Sequence, residues 1–300
     1  MAFNIWRITD EKAGHDSQSI GLCNAIERLK ACERFDIASE PVLSSYKNLL
    51  LKQFPSGQGL PDPDIIIGAG HSTHLPMLCA KRARGGKTMV LMQPGLPLSF
   101  FDVCIIPKHD QPAHKENVIT TYGAINPIKF NESKSAGIGL ILIGGPSRHY
   151  YWNNEAILSQ ITQIVTNSAD IHWTIADSPR TPKTTLTGIA DLANVDVLNF
   201  AETTSKTVRE FIFKAGNIWV SKDSVSMIYE SLSSGAAVGL LDLEQKNDNR
   251  ISDAINNLIN NEQLTSFEMW KNTNKLIPAS LNFKEADRCA SILLERGFLG

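Results

Sequence analysis

The stretch Gly216-Asn217-Ile218-Trp219-Val220 runs directly into Ser221-Lys222-Asp223-Ser224-Val225-Ser226-Met227-Ile228-Tyr229-Glu230, and Gly235 follows five residues later. An apolar run that passes through small hydroxyl residues into a helical pattern reads as a strand, a turn and a helix. The first amides of such a helix have no intrahelical acceptor, and the helix dipole places its positive end there. That combination receives phosphate groups readily. Glu230 lies six residues beyond Ser224, where a carboxylate can accept from ribose hydroxyls if a diphosphate rests on the helix start. The same residues also fit an ordinary helix start, with Asp223 or Ser224 as N-cap and Glu230 facing solvent. The rest of the chain has to decide between these readings.

Outward from this stretch, short β-branched runs alternate with longer amphipathic ones, the pattern of βαβ units around a parallel sheet. In the first half, strands are expected at Phe3–Ile8, Asp64–Gly68, Thr88–Met92, Val103–Ile106 and Val118–Thr121, with helices at Ser17–Lys30 and Thr73–Arg84. The alternation lapses in the polar segment from Asn126-Pro127 to Ser135, which reads as an interdomain linker. It restarts with strands at Ile138–Ile143, Ile171–Ile175, Val195–Phe200, Ile218–Val220 and Ala237–Leu241. Helices are expected at Asn153–Thr166, Thr181–Leu192, Ile251–Asn260 and Phe283–Arg296. The expected domains are therefore 1–128 and 136–282, with the helix of 283–300 packing back on the first. Two consecutive α/β domains imply a central cleft, with ligands at the carboxyl ends of the strands.

Bulk composition narrows the function classes. A 300-residue chain with 42% hydrophobic and 20% charged residues has ample material for two globular cores. A formal net charge of −2 lacks the basic excess of a general nucleic-acid binder, so no nucleic-acid partner is expected. Five cysteines with no C-x-x-C spacing fit reduced thiols better than a disulfide framework or a zinc site. No basic segment followed by an apolar run opens the chain, and no apolar run is long enough to span a bilayer. A cytoplasmic location is expected, with peripheral contact to a membrane left open.

Four loops that follow strands carry the polar chemistry. Asp10-Glu11-Lys12-Ala13-Gly14-His15-Asp16-Ser17-Gln18 follows the first strand. Gly14 reads as a tight-turn residue, and a histidine there suits general-base work because imidazole ordinarily titrates near neutrality. Gly68-Ala69-Gly70-His71-Ser72-Thr73-His74 lacks the third glycine of a dinucleotide fingerprint. Its histidine pair has metal-compatible spacing, yet no carboxylate accompanies it in sequence. Gly144-Gly145-Pro146-Ser147-Arg148-His149 lets amides and a guanidinium approach a phosphate, without the Gly-Lys-Ser/Thr of a Walker loop. In Asp177-Ser178-Pro179-Arg180-Thr181-Pro182, Arg180 is a further nucleotide contact, and Thr181 with Pro182 reads as an N-cap and first-turn proline. His109-Asp110 ends another strand.

Lys12-Ala13-Gly14-His15-Asp16-Ser17-Gln18, Pro107-Lys108-His109-Asp110, Gly144-Gly145-Pro146-Ser147-Arg148 and Asp223-Ser224-Val225-Ser226-Met227 together resemble the mitochondrial-fission ELM family across nearly the whole chain. More distantly, the layout is similar to GT-B glycosyltransferases such as the enzyme that adds N-acetylglucosamine in lipid II synthesis. The resemblance implies two Rossmann-like domains with parallel sheets facing a central cleft. Glu230 and Gly235 match the ribose-holding glutamate and following glycine of that group, and Gly14-His15 matches its Gly-His pair.

The expected activity is metal-independent glycosyl transfer from a nucleotide-diphosphate sugar, a substrate rather than a cofactor, to a saccharide or glycolipid acceptor of the cell envelope. His15 is the expected base. Gly144, Gly145, Ser147, Arg148, Arg180, Ser224, Val225, Ser226, Met227 and Glu230 are the expected nucleotide and diphosphate contacts. Lys12, Gly14, Gln18, His71, Ser72 and His109 are the acceptor-side candidates. Nucleotide-sugar epimerisation and a non-catalytic adaptor role of the fission-factor type are the alternatives.

Overall fold

A computed structural model describes residues 2–189, 192, 195–247 and 250–300. The chain divides into two compact units, one of residues 1–127 and 284–300 and the other of residues 128–283. In the first, strands β1 (Phe3–Thr9), β2 (Cys32–Ala38), β3 (Ile65–Ala69), β4 (Lys87–Leu91), β5 (Val103–Pro107) and β6 (Val118–Thr121) form one sheet in the order β2-β1-β3-β4-β5-β6. Every pairing is parallel.

The alternation of side chains along these strands builds two cores. Ile5, Ile65, Ile67, Met89, Leu91, Val103 and Ile105 lie on one face with Leu22 and Ile26 of helix α1 (Ala13–Leu29). Trp6, Ile8, Ile66, Val90, Cys104 and Ile106 lie on the other, with Met77 and Ala80. Strands buried on both sides need no polar alternation, which explains the unbroken Ile65-Ile66-Ile67 run.

Helices α2 (Val42–Leu51) and α3 (His71–Arg84) follow β2 and β3. The last helix, numbered α10 for its place in the chain (Glu285–Glu295), belongs to the first unit: Cys289, Ala290 and Leu293 join the core of α1. Glu285 accepts from the Tyr122 amide at 2.9 Å, and Arg288 donates to the Thr120 carbonyl at 2.7 Å.

The second unit repeats the plan. Strands β7 (Ser135–Leu142), β8 (His172–Ala176), β9 (Val195–Leu198), β10 (Ala215–Ser221), β11 (Ala237–Leu241) and β12 (Thr265–Ser266) are ordered β12-β11-β10-β7-β8-β9, all parallel. This is the doubly wound order, reversing between β7 and β10. Helices α4 (Asn154–Thr166), α5 (Lys183–Leu186), α6 (Ser205–Lys214), α7 (Val225–Ser233) and α8 (Arg250–Asn260) connect the strands, and α9 (Phe267–Thr273) follows β12. Trp219 packs edge-on against Trp270 at 5.4 Å between ring centroids and against Phe267 at 6.0 Å.

Several elements differ from the sequence expectation. Helix α1 begins at Ala13, four residues before Ser17. The helix expected over Thr181–Leu192 is confined to Lys183–Leu186, and its residues 190 and 191 lie outside the described residues. Thr181 is not an N-cap: its hydroxyl donates to the Ile143 carbonyl at 3.0 Å and to that of Gly144, clamping the end of β7. Pro182 takes the cap position instead. Strands β2 and β12 and helices α2, α6 and α9 were not legible. Strand β2 carries Glu33, Arg34 and Asp36 because it is an edge strand.

All five cysteines are free thiols. Burial pushes Cys23 and Cys289 up to about 12, where a thiol is inert at neutral pH. Among the described residues no helix is long and apolar enough to cross a membrane.

Arg7 is the one guanidinium buried inside the first sheet among the described residues. It holds Asp36 of β2 through two bonds of 2.7 and 2.8 Å and Asp16 of α1 at 2.8 Å. Burial by itself would lower its pKa, but the two carboxylates outweigh this and raise it. Replacing Arg7 with Met leaves Asp16 without its counter-ion and Asp36 with only Arg34, 3.7 Å away. We expect Arg7→Met to lower unfolding stability by about 3 kcal/mol, read from urea denaturation at pH 7. A loss below ~1 kcal/mol would show the carboxylates to be solvated adequately without it.

Candidate functional site

Each sheet reverses its winding once, and the polar residues gather at the carboxyl end of that reversal. In the first unit the reversal lies between β1 and β3. Asp10 directly follows β1, and its side chain is only 5% exposed. Its carboxylate accepts from the Ser72 hydroxyl of α3 at 2.6 Å and lies 2.9 and 3.0 Å from Nδ1 of His15 in the first turn of α1. Burial opposes the charge on Asp10, yet the hydrogen bonds from Ser72 and His15 hold its pKa below the usual carboxylate value. An ionised carboxylate only accepts, so Nδ1 of His15 carries a proton and Nε2 of the neutral ring keeps its lone pair.

The ring is seated by Gly70, which has φ +87° and is so close that a Cβ there would lie 2.3 Å from His15. No L-side chain tolerates both that backbone and that contact. His71 heads α3 and lies against Gly95, while Lys12 approaches Asp10 at 3.6 Å from an exposed position.

Other acceptor-side candidates separate from this cluster. Gly14 is not a turn residue: it lies inside α1, with open space where a Cβ would stand. Gln18 is half-buried on the next turn. His109 sits in a short 3-10 turn beyond β5, three strand spacings from β1, or roughly 14 Å. Burial lowers its pKa, partly offset by Asp110.

In the second unit the reversal between β7 and β10 brings together Gly144-Gly145, Ser221 and Asp223. The Gly144 amide donates to the Ser221 hydroxyl at 2.8 Å, and the Gly145 amide donates to Asp223 at 3.1 Å. The Asp223 side chain is fully buried, and a Cβ on Gly144 would lie 2.2 Å from it. Arg180 forms an ion pair with Asp223 at 2.8 Å and donates to the Gly145 and Pro146 carbonyls at 3.3 Å. Two expected phosphate contacts, the Gly145 amide and Arg180, are thus both engaged by Asp223.

Ser147 folds its hydroxyl into its own turn, accepting from the His149 and Tyr150 amides, and Arg148 is exposed. Helix α7 starts at Val225 with Ser224 in the cap position, but the Ser224 side chain makes no capping hydrogen bond. The Ser224 hydroxyl instead lies 3.4 Å from that of Ser226. The first turn, Val225-Ser226-Met227, therefore keeps the donor character of an open helix start. Glu230 is half-buried on the following turn. The side chains not assigned from sequence are Asp10, Asp223, Ser221 and Ser178, the last donating to the Gly144 carbonyl at 3.1 Å. The signal available for all four was their place, each within two residues of the end of a central strand.

The sequence model of a protein family described as Mitochondrial fission ELM1 matches residues 13–297. An uncharacterized protein of Rickettsia prowazekii (strain Madrid E) is 26% identical over 77% of this chain and 81% of its own length. Among solved structures, the UDP-GlcNAc 2-epimerase of Neisseria meningitidis bound to UDP-GlcNAc superposes with TM-score 0.61 at 10% identity, covering all of both chains. The UDP-GlcNAc 2-epimerase of Methanocaldococcus jannaschii, in complex with UDP-GlcNAc and UDP, gives TM-score 0.52 at 12% identity over 98% of this chain and all of that one. The glycotransferase of kitacinnamycin gives 0.53 at 12% over the full length of both. These likenesses establish a GT-B fold.

The pair His71 and His74 has ring centroids 5.3 Å apart, but among the described residues no three His, Cys, Asp or Glu side chains gather for a metal. His74 is buried edge-on to Phe101, and burial first, then His71, pushes its pKa down to about 4. Between pH 6.5 and about 4 the unfolded chain takes up a proton that the folded protein refuses. Stability should therefore fall as pH drops through that window, by up to about 3 kcal/mol, and level off below it. Chemical denaturation of wild type and His74→Phe across pH 4–7 checks this, the variant lacking that part of the slope.

Proposed function

We propose that this chain, which belongs to the mitochondrial fission ELM1 family, is an enzyme that transfers a sugar from a nucleotide-diphosphate donor to a hydroxyl acceptor. The observation that carries the reading is the Asp10–His15 pair braced by Ser72 and Gly70. A buried carboxylate that fixes the tautomer of a histidine and offsets the imidazolium formed on proton uptake is the requirement for a general base.

In the proposed reaction, Nε2 of His15 takes the acceptor hydroxyl proton while the acceptor oxygen bonds to the anomeric carbon. The bond from that carbon to the diphosphate oxygen breaks, and its electron pair leaves with the diphosphate. The uncapped first turn of α7 supplies amides and dipole for the charge on the leaving group. Glu230 faces the ribose in this reading. Arg180 acts indirectly, neutralising Asp223 so that no uncompensated carboxylate lies beneath the diphosphate. Relatives of the same fold have been solved with UDP or UDP-GlcNAc, which makes a uridine diphosphate sugar the first donor to test. A cell-envelope saccharide or glycolipid is the acceptor class.

Epimerisation of the donor sugar is a second reading, favoured by the two similar UDP-GlcNAc 2-epimerase folds. Incubating UDP-sugars without acceptor separates the two, since a changed sugar would replace transfer by epimerisation.

Calorimetry with UDP, GDP and CMP should show one nucleotide bound by wild type, and Glu230→Ala should weaken it. Absence of binding by all three would remove the reading. His15→Ala should retain nucleotide binding and lose roughly 10²- to 10⁴-fold in turnover. Asp10→Asn, which leaves the ring in the wrong tautomer, should lower kcat by roughly 10²-fold or more with little change in donor KM. Equal kcat in wild type and Asp10→Asn would exclude the pair as the base.

A further inference from the structure

Helix α2 is amphipathic in the inverted sense. At about 100° per residue, Tyr46, Leu50, Leu43, Lys47 and Leu51 occupy one continuous arc, and that arc faces solvent. Leu43 is 84% exposed, Leu50 81%, Tyr46 56% and Leu51 53%. The polar residues Ser45 and Asn48 are the buried ones. The Ser45 hydroxyl donates to the Pro41 carbonyl at 3.1 Å, and Asn48 donates to Glu40 at 2.6 Å. On the inner face Leu49 packs on the first unit's core and the Cys79 thiol donates to the Ser45 carbonyl at 3.1 Å, so the apolar arc is turned away from the core. Scattered exposed leucines are common on protein surfaces, but a contiguous apolar stripe on one helix marks an interaction face.

Charge selects the partner. From Pro41 to Pro61 the only charged residues are Lys47 and Lys52, with no acidic side chain among them. Glu40, the nearest carboxylate before the helix, is engaged by Asn48 and by Ser56 at 2.6 Å. An apolar stripe with lysines along and beyond it, and a tyrosine that can sit at headgroup level, suits the interface of an anionic bilayer. We propose that α2 docks the protein on an anionic lipid surface, lying in the plane of the interface. Helix α2 begins just beyond the carboxyl end of β2, at the same edge of the first sheet as His15. Docking through it would bring that edge to a lipid-borne acceptor, although the docking stands without the transfer reading.

Sedimentation of the full chain with sucrose-loaded vesicles tests the proposal. Vesicles of phosphatidylcholine and phosphatidylglycerol in equal parts should bind about tenfold more tightly than phosphatidylcholine alone, and added salt should weaken the difference. Leu43→Asp with Leu50→Asp should lose about tenfold or more in binding while keeping the wild-type circular dichroism and unfolding midpoint. Lys47→Glu with Lys52→Glu should erase the preference for the anionic vesicle. Failure to bind either vesicle would overturn the proposal, as would binding unaffected by both double variants. A dimer in sedimentation velocity that Leu50→Asp abolishes, without vesicle binding, would assign the face to a second copy instead.

Discussion

A guanidinium buried in β1 sets the geometry on which the first unit's polar edge depends. Arg7 reaches across the sheet to Asp36 and up to Asp16, so β2 and the first turn of α1 are fixed to the same strand. Thr9 also donates to Asp16, which pins the helix start at the point where β1 ends. His15, one residue before Asp16, is thereby brought beside Asp10. Without this anchor the first turn of α1, whose cap position makes no side-chain hydrogen bond, would have little to hold it against fraying.

The two units solve the same problem with a buried carboxylate at the reversal of strand order, and they use it differently. Asp10 orients an imidazole that can exchange protons. Asp223 accepts from the Gly145 amide and pairs with Arg180, and among the described residues its other oxygen has no hydrogen-bond partner. The second arrangement braces the glycine loop that follows β7. This leaves the start of α7 as the donor-rich element of its edge. An electropositive helix end next to a neutralised carboxylate attracts an anion without a lysine or arginine dedicated to it.

Much of the fold was legible because parallel strands buried on both faces must be apolar runs, and their helices must be amphipathic. Every strand flanked on both sides by others was read from the sequence within two or three residues. What escaped were the edge strands β2 and β12 and the helices α2, α6 and α9. Strand β2 exposes charge, and α2 turns three of its four leucines outward, so neither presents the periodicity that marks a buried face. For the site, His15, Ser72 and the Gly144-Gly145 turn were legible as residues on strand-end loops. Their partners were not; Gly14 was read as a turn residue but lies in α1, and the cap position expected of Thr181 belongs to Pro182.

The sequence by itself determined two rounds of strand–helix alternation, the polar break near Asn126–Ser135, and the loops that carry Gly, Ser, His and Arg. These are local consequences of residue pattern and backbone chemistry. Only the tertiary structure decided which residues meet. The Ser72–Asp10 bond spans 62 positions, and the Arg180–Asp223 pair joins the loops after β8 and β10. Such contacts follow from strand order, which no local pattern encodes. The stretch after Val220 thus announced a helix start, and the sheet brought its aspartate to the glycine loop after β7.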